Sequence, residues 1–237
     1  MKKRMVWVLF SLFLGTGIYA DSLYQLGYLN GTSESYAEGQ FESFGDLMAQ
    51  SLNTGMGDLL SSPTFRFGAQ VTMMPVEKEG VMQNSSYDAL YLPNIYVSVK
   101  ISNVNAFWRY LYPVFSVSDS SPSFWGMGAA YRFDFSELLS LAPGLTFHKS
   151  SDIEGMSIYS LGLYANGVVD LKFMKPFFNL GLSRTAFDTD VTLNNGEKFD
   201  YSSYFAHLSL GLQAFGMVYE MNILPYFSHN IGFSKNF

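Results

Sequence analysis

The chain has no cysteine. That removes disulfides, thiolate metal sites and cysteine nucleophiles together. Charge is scarce: Asp, Glu, Lys and Arg make up 14% of the 237 residues, where soluble domains carry about a quarter. No basic run exceeds "KKR" at residues 2–4, and the formal net charge is −6. With no cationic stripe to meet phosphates, nucleic acid is excluded as a partner. The three histidines, His148, His207 and His229, show no metal-ligand spacing, and no motif calls for a metal or a cofactor. Long apolar runs are missing too. Beyond the first 20 residues no uninterrupted stretch of 18 apolar residues occurs, which excludes a helical membrane protein. Aromatics stand where charge is missing: 17% of the chain, with 22 Phe and 16 Tyr. Such a surface need not all face water.

The first residues, "MKKRMVWVLFSLFLGTGIYADS", combine a basic start, an apolar run from Met5 to Leu14 and then small residues. This is the pattern of a secretory signal peptide, residues 1–20, with cleavage expected after Ala20. Ile18 is bulky for its place before the cut. The alternative, an uncleaved anchor helix, asks for about 20 apolar residues. No cysteine follows for lipid attachment. The chain is therefore expected to be exported, and any membrane span must be built from strands.

Residues 21–63 form an N-terminal extension, polar and rich in Gly and Ser at first. Phe41, Phe44, Leu47, Met48 and Leu52 then recur at helical spacing, which predicts an amphipathic helix over 40–52 and a further turn at Met56–Leu60. Two placements are open: a plug inside a lumen, or a helix lying on a membrane face.

From Thr64 the period changes to two. In "TFRFGAQVTMM", Phe65, Phe67, Ala69, Val71 and Met73 share one face, and Arg66, Gly68, Gln70 and Thr72 the other. The alternation returns around Ile95–Ile101, Trp125–Tyr131, Tyr159–Ala165, Phe178–Leu182, Tyr204–Leu212, Met217–Ile223 and the closing "SHNIGFSKNF". "AFWRYLYPVFSV" carries apolar residues on both faces, with Trp108, Tyr110 and Tyr112 suited to a membrane interface. About ten strands result, with eight as the alternative. The second face collects Arg66, Gln70, Asn94, Lys100, Arg132, Asn166, Asn179, His207, Gln213 and Glu220. Burying that set in a sandwich core would cost several kcal/mol per unpaired group, whereas a barrel lumen can hydrate or pair them. The fold expected over 64–237 is all-β: a transmembrane antiparallel up-and-down β-barrel behind a helical extension. Connections on one side are longer and acidic, and those on the other mostly short and apolar, as in outer-membrane barrels.

Export signal, composition and alternation together resemble the outer-membrane β-barrel proteins of Gram-negative-type bacteria. The tail carries the sharpest likeness: Phe237 is terminal, with Phe233, Ile231 and Phe227 before it on one side of the strand. The resemblance implies that Ile231, Phe233 and Phe237 form the signal read by the barrel-assembly machinery. It also implies outer-membrane lipids and lipopolysaccharide as surroundings. Lys235 and His229, on the same face, depart from the pattern.

Three functions from different classes follow. The first is a non-enzymatic, porin-like barrel, a narrow channel or a binder of a small or apolar solute. Here Arg66, Lys100 and Arg132 would either select anions as a ring or pair with Glu220 to hold the lumen together. The second is a structural or surface-interaction barrel acting through acidic loops. The third is a lipid A deacylase-like hydrolase, since some such enzymes carry a His-x-Ser pair at a strand mouth, here His148 and Ser150. Ser151 after Ser150, and a following strand that supplies no carboxylate until Asp170 at its far end, depart from that motif. "DTD" at 188–190 is either a solvated surface or a place for a divalent cation held together with lipopolysaccharide phosphates.

Overall fold

The computed structural model describes residues 23–57, 65–112, 123–151, 155–224 and 227–236. The expected signal segment, the turn beyond Gly57 and Phe237 lie outside them.

Ten antiparallel strands form one closed barrel. They are β1 (Phe65–Pro75), β2 (Ala89–Ile101), β3 (Val104–Leu111), β4 (Ser123–Tyr131), β5 (Leu139–Ser151), β6 (Met156–Val169), β7 (Met174–Thr192), β8 (Lys198–Ala214), β9 (Met217–Leu224) and β10 (Ser228–Asn236). Phe133–Asp134 extends β4 by two residues along β5. Each strand pairs with its neighbours in sequence, and β1 pairs with β10 to close the sheet, Ala69 opposite Phe233 and Met73 opposite His229. The strand that the sequence shows only as "GLTFHKSS" is longer, because Leu139–Pro143 already pairs with β6.

Two mouths result. At the near mouth, residues 102–103 and 215–216 make two-residue turns. Phe215 and Gly216 both have positive φ, 53° and 81°, as a type I′ hairpin requires. At the far mouth lie residues 76–88, Tyr112 at the end of β3, Ser123 at the start of β4 and the tip of the β7–β8 hairpin. That tip closes over Asn194–Gly196. Gly196, at φ 84°, occupies the left-handed position of a three-residue loop. β7 and β8 have 19 and 17 residues, where a membrane strand needs about 9–11, so the hairpin projects past the far rim.

Burial alternates along the strands: over β1, Arg66, Gly68, Gln70, Thr72 and Met74 are buried, and Phe65, Phe67, Met73 and Pro75 are exposed. The outer face presents Phe67, Ile95, Trp108, Met127, Leu145, Leu163, Leu180, Leu210, Tyr219 and Ile231, all exposed. A water-soluble monomer does not expose a belt of this kind; hydrocarbon is its natural solvent. Two cation–ring contacts mark the belt's far edge. Lys149 lies 5.3 Å from the Tyr159 ring centroid and Arg184 5.6 Å from that of Tyr204, as long cations do where lipid meets water.

The extension folds as helix α1, Glu34–Asn53, six residues longer at its start than the apolar spacing predicts. Phe41, Phe44, Leu47, Met48 and Leu52 are buried. They pack against inward residues from the far ends of the strands: Met74, Leu90, Leu92, Leu111, Phe124, Ile158 and Phe187. Phe41 alone meets the rings of Phe187, Phe199 and Tyr201 at centroid distances of 5.3, 5.5 and 5.2 Å. This apolar collar interrupts the polar inward face. Inward residues are apolar wherever they grip the helix.

Candidate functional site: the helix end inside the barrel

α1 descends through the collar, and its C-terminal turn sits among the polar inward side chains. From Met48 to Asn53 every residue is buried. A helix end leaves carbonyls unpaired, and a buried one must find donors from elsewhere. Here the donor is Arg109, fully buried on β3. Its Nη1 donates to Thr54 O at 2.7 Å, its Nη2 donates to Leu52 O, and its Nε donates to His148 Nε2 at 2.9 Å. The guanidinium also sits at the negative end of the helix dipole, a favourable place for a cation. The three contacts tie α1 to β3 and, through His148, to β5.

The remaining wall ties α1 from other sides. Asp46 accepts from Ser203 Oγ at 3.1 Å. Gln50 donates to Ser228 Oγ at 3.1 Å. Asn53 donates to Ser160 Oγ at 3.0 Å and accepts from the Tyr164 hydroxyl at 2.6 Å. Thr54 and Thr72 share a hydrogen bond of 3.2 Å between their hydroxyls. Below the helix, Met56 packs with Tyr96, Phe107, Ala130, Ala142 and Tyr164. Gly126 makes room for the latch, because a Cβ there would collide with the His148 ring.

The inward set named from the sequence is placed as follows. Gln70, Asn94, Asn166, Asn179, His207, Gln213 and Glu220 are buried in the lumen wall, and so is Arg66. Glu220 accepts from Ser209 Oγ at 2.6 Å. Lys100 and Arg132 are only half-buried. Arg66, Lys100 and Arg132 all lie at the near mouth, on the turn-side ends of β1, β2 and β4. Arg66 donates to Asn236 Oδ1 at 2.9 Å, and Arg132 is ion-paired with Asp134 at 2.6 Å. They therefore make no ring at the constriction. The cation at the constriction is Arg109, which the sequence reading passes over because "AFWRYLYPVF" is apolar on both sides. The signal for it is present all the same: if Trp108 and Tyr110 face lipid, Arg109 must face in. Ile231 and Phe233 are exposed on the outer face.

His148 and Ser150 both point inward from β5 and are buried, but they do not meet as acid–base and nucleophile. His148 Nε2 accepts from Arg109, and Ser150 Oγ accepts from the backbone N–H of Ile158 at 2.8 Å. A nucleophile needs its base within about 3 Å and free to take its proton. Replacing Ser150 by Ala is thus expected to leave phospholipid and lipid A product patterns unchanged. The measurable effect is a lower unfolding midpoint, from about 1 kcal/mol of lost hydrogen bonding. A Ser–His contact does exist elsewhere, Ser183 Oγ to His207 Nε2 at 2.6 Å. Both residues are buried, and the histidine lies against the Tyr164 and Phe205 rings. Among the described residues no group of three or more His, Asp or Glu is placed to hold a metal.

No family model and no curated protein matches the sequence. The solved structures it is similar to include outer-membrane barrels. The KdgM porin in complex with disordered oligogalacturonate aligns with TM-score 0.39 and 10% identity, over 72% of this chain and 99% of that one. The translocator domain of autotransporter NalP from Neisseria meningitidis aligns with TM-score 0.41 and 12% identity, over 83% and 97%. Neisserial surface protein A gives 0.31 and 12%, over 71% and 96%. At these scores the likeness assigns no ligand and no activity.

Proposed function

We propose that this chain is a non-enzymatic outer-membrane barrel that works as a narrow, gated conduit, closed at rest by α1. The observation that carries this reading is Arg109, a buried cation spent on the last carbonyls of a helix inside the lumen. Arg109 reaches α1 across a few hydrogen bonds, so a modest change in free energy releases it. The collar grips the helix by apolar contact as far as Leu52, and the carbonyls at its end are held by polar contacts. Disengaging that turn opens a path lined by Asn, Ser, Thr and Gln side chains, suited to a small polar solute. The test is planar-bilayer recording of the intact chain beside an Arg109 variant. A quiet intact barrel and a conducting variant are expected.

The second reading, a surface-interaction barrel, draws support from the projecting β7–β8 hairpin and its exposed Asp188, Asp190, Glu197 and Asp200. The same recording separates the two, since a surface barrel stays quiet in both forms.

A further inference from the structure

The path of the extension has a direction. Gln25 N–H donates to Val81 O at 3.0 Å, and Gly31 N–H donates to Thr192 O at 2.8 Å. Asn194 N–H donates to Thr32 O, and Thr192 N–H donates to Asn30 Oδ1, each at 2.9 Å. Val81 and Asn194 belong to far-mouth connections, and Thr192 ends β7 at that mouth. Gln40 of α1 still lies against Gly80, where any side chain would run into the Gln40 carbonyl. By Met56 the chain has reached the other end. Met56 shares a buried cluster with Ala130 and Ala142, which lie beside the near turn of β4 and β5, and Gly57 lies against Phe177 near the start of β7. β1 then begins at the near mouth. The segment 25–57 therefore runs the whole bore, from far to near. An α-helix with side chains is about 10–12 Å across, and its apolar side is packed against the barrel wall.

We propose that the barrel carries its own N-terminal segment through its lumen and presents it on the outer face of the membrane. The longer far connections and the projecting hairpin identify the far mouth as the outward one, because outer-membrane barrels keep short turns on the periplasmic side. Residues around Gln25 then lie outside the cell. Closure of the β1–β10 seam around α1 makes the arrangement permanent once folded. This does not depend on whether the lumen conducts.

Because the chain is free of cysteine, single thiols report their side without background. Gln25→Cys, Asn195→Cys and Glu137→Cys place one at the extension, the far hairpin tip and the near turn, all at exposed positions. Intact cells are treated with a maleimide joined to a polymer too large for the outer membrane, and folding is checked by heat-dependent gel migration. Gln25→Cys and Asn195→Cys label on intact cells, and Glu137→Cys only after the membrane is opened. If Gln25→Cys follows Glu137→Cys instead, the threading is wrong. If Asn195→Cys is the protected one, the outward assignment is wrong. Either result overturns the proposal. Ser35→Cys, exposed at the start of α1, repeats the test should Gln25→Cys fail to fold.

Discussion

Replacing Arg109 by Ala turns a quiet barrel into a conducting one. The side chain satisfies Leu52 O, Thr54 O and His148 together, and hydrogen bonds from a charged donor are each worth about 1.5–3 kcal/mol. Alanine restores none of them and leaves two buried carbonyls facing a void. A loss of about 3 kcal/mol from the closed state raises the released fraction by roughly a hundredfold, at 1.4 kcal/mol per tenfold. Single-channel recording should show this as frequent openings where the parent shows almost none. Arg109→Lys keeps the charge but loses the planar fork of donors, and its open fraction falls between the two. The helix stays in the collar in both variants, so openings are brief and small rather than those of an emptied barrel. If Arg109→Ala migrates as a folded barrel and remains silent, gating by this latch is refuted.

Leu180→Arg is expected to be the most destabilising single change on the outer face. Leu180 is exposed in the middle of the belt, paired across β6 and β8 with Ala165 and Leu208. If that surface meets hydrocarbon, a cation near the midplane costs about 2–4 kcal/mol, read as a lower unfolding midpoint in lipid or detergent. If it met water, the same change would fall within about 0.5 kcal/mol, like other surface substitutions. Few experiments divide a membrane barrel from a secreted sandwich so cleanly.

Much of this architecture is legible in the chain itself. Strand alternation from Phe65 onward follows from a sheet with two different solvents, and that contrast is written in every second residue. The turns at Phe215–Gly216 and Asn194–Gly196 declare themselves through glycine. Phe41, Phe44, Met48 and Leu52 expose the helix by spacing alone. What spacing cannot give is where the helix goes, because plug and membrane-surface helices need the same apolar stripe. Nor does alternation survive where both faces are apolar. Leu111 and Phe124 face inward onto α1, and Phe107 onto Met56, so the two-residue rhythm fades there and hides Arg109 among aromatics. The near-mouth cations Arg66, Lys100 and Arg132 are legible as inward, but their depth along the axis depends on register and strand ends, which composition does not record. His148 and Ser150 illustrate the same limit. Two residues on one strand share a face, yet their partners come from β3 and β6.

The account stands on α1 lying within the barrel, and one pair of positions tests that most directly. Thr54 and Thr72 bring their hydroxyls to 3.2 Å, one at the end of the helix and one on the inner wall of β1. A disulfide asks for Cβ atoms about 3.5–4.5 Å apart, and no other thiol competes in this chain. In the folded double variant Thr54→Cys/Thr72→Cys, mild oxidation should join the two and leave nothing for a maleimide to label until reductant is added. Two thiols that stay free and fully reactive under the same oxidation, in protein that migrates as a folded barrel, would place the helix outside the lumen and contradict the account.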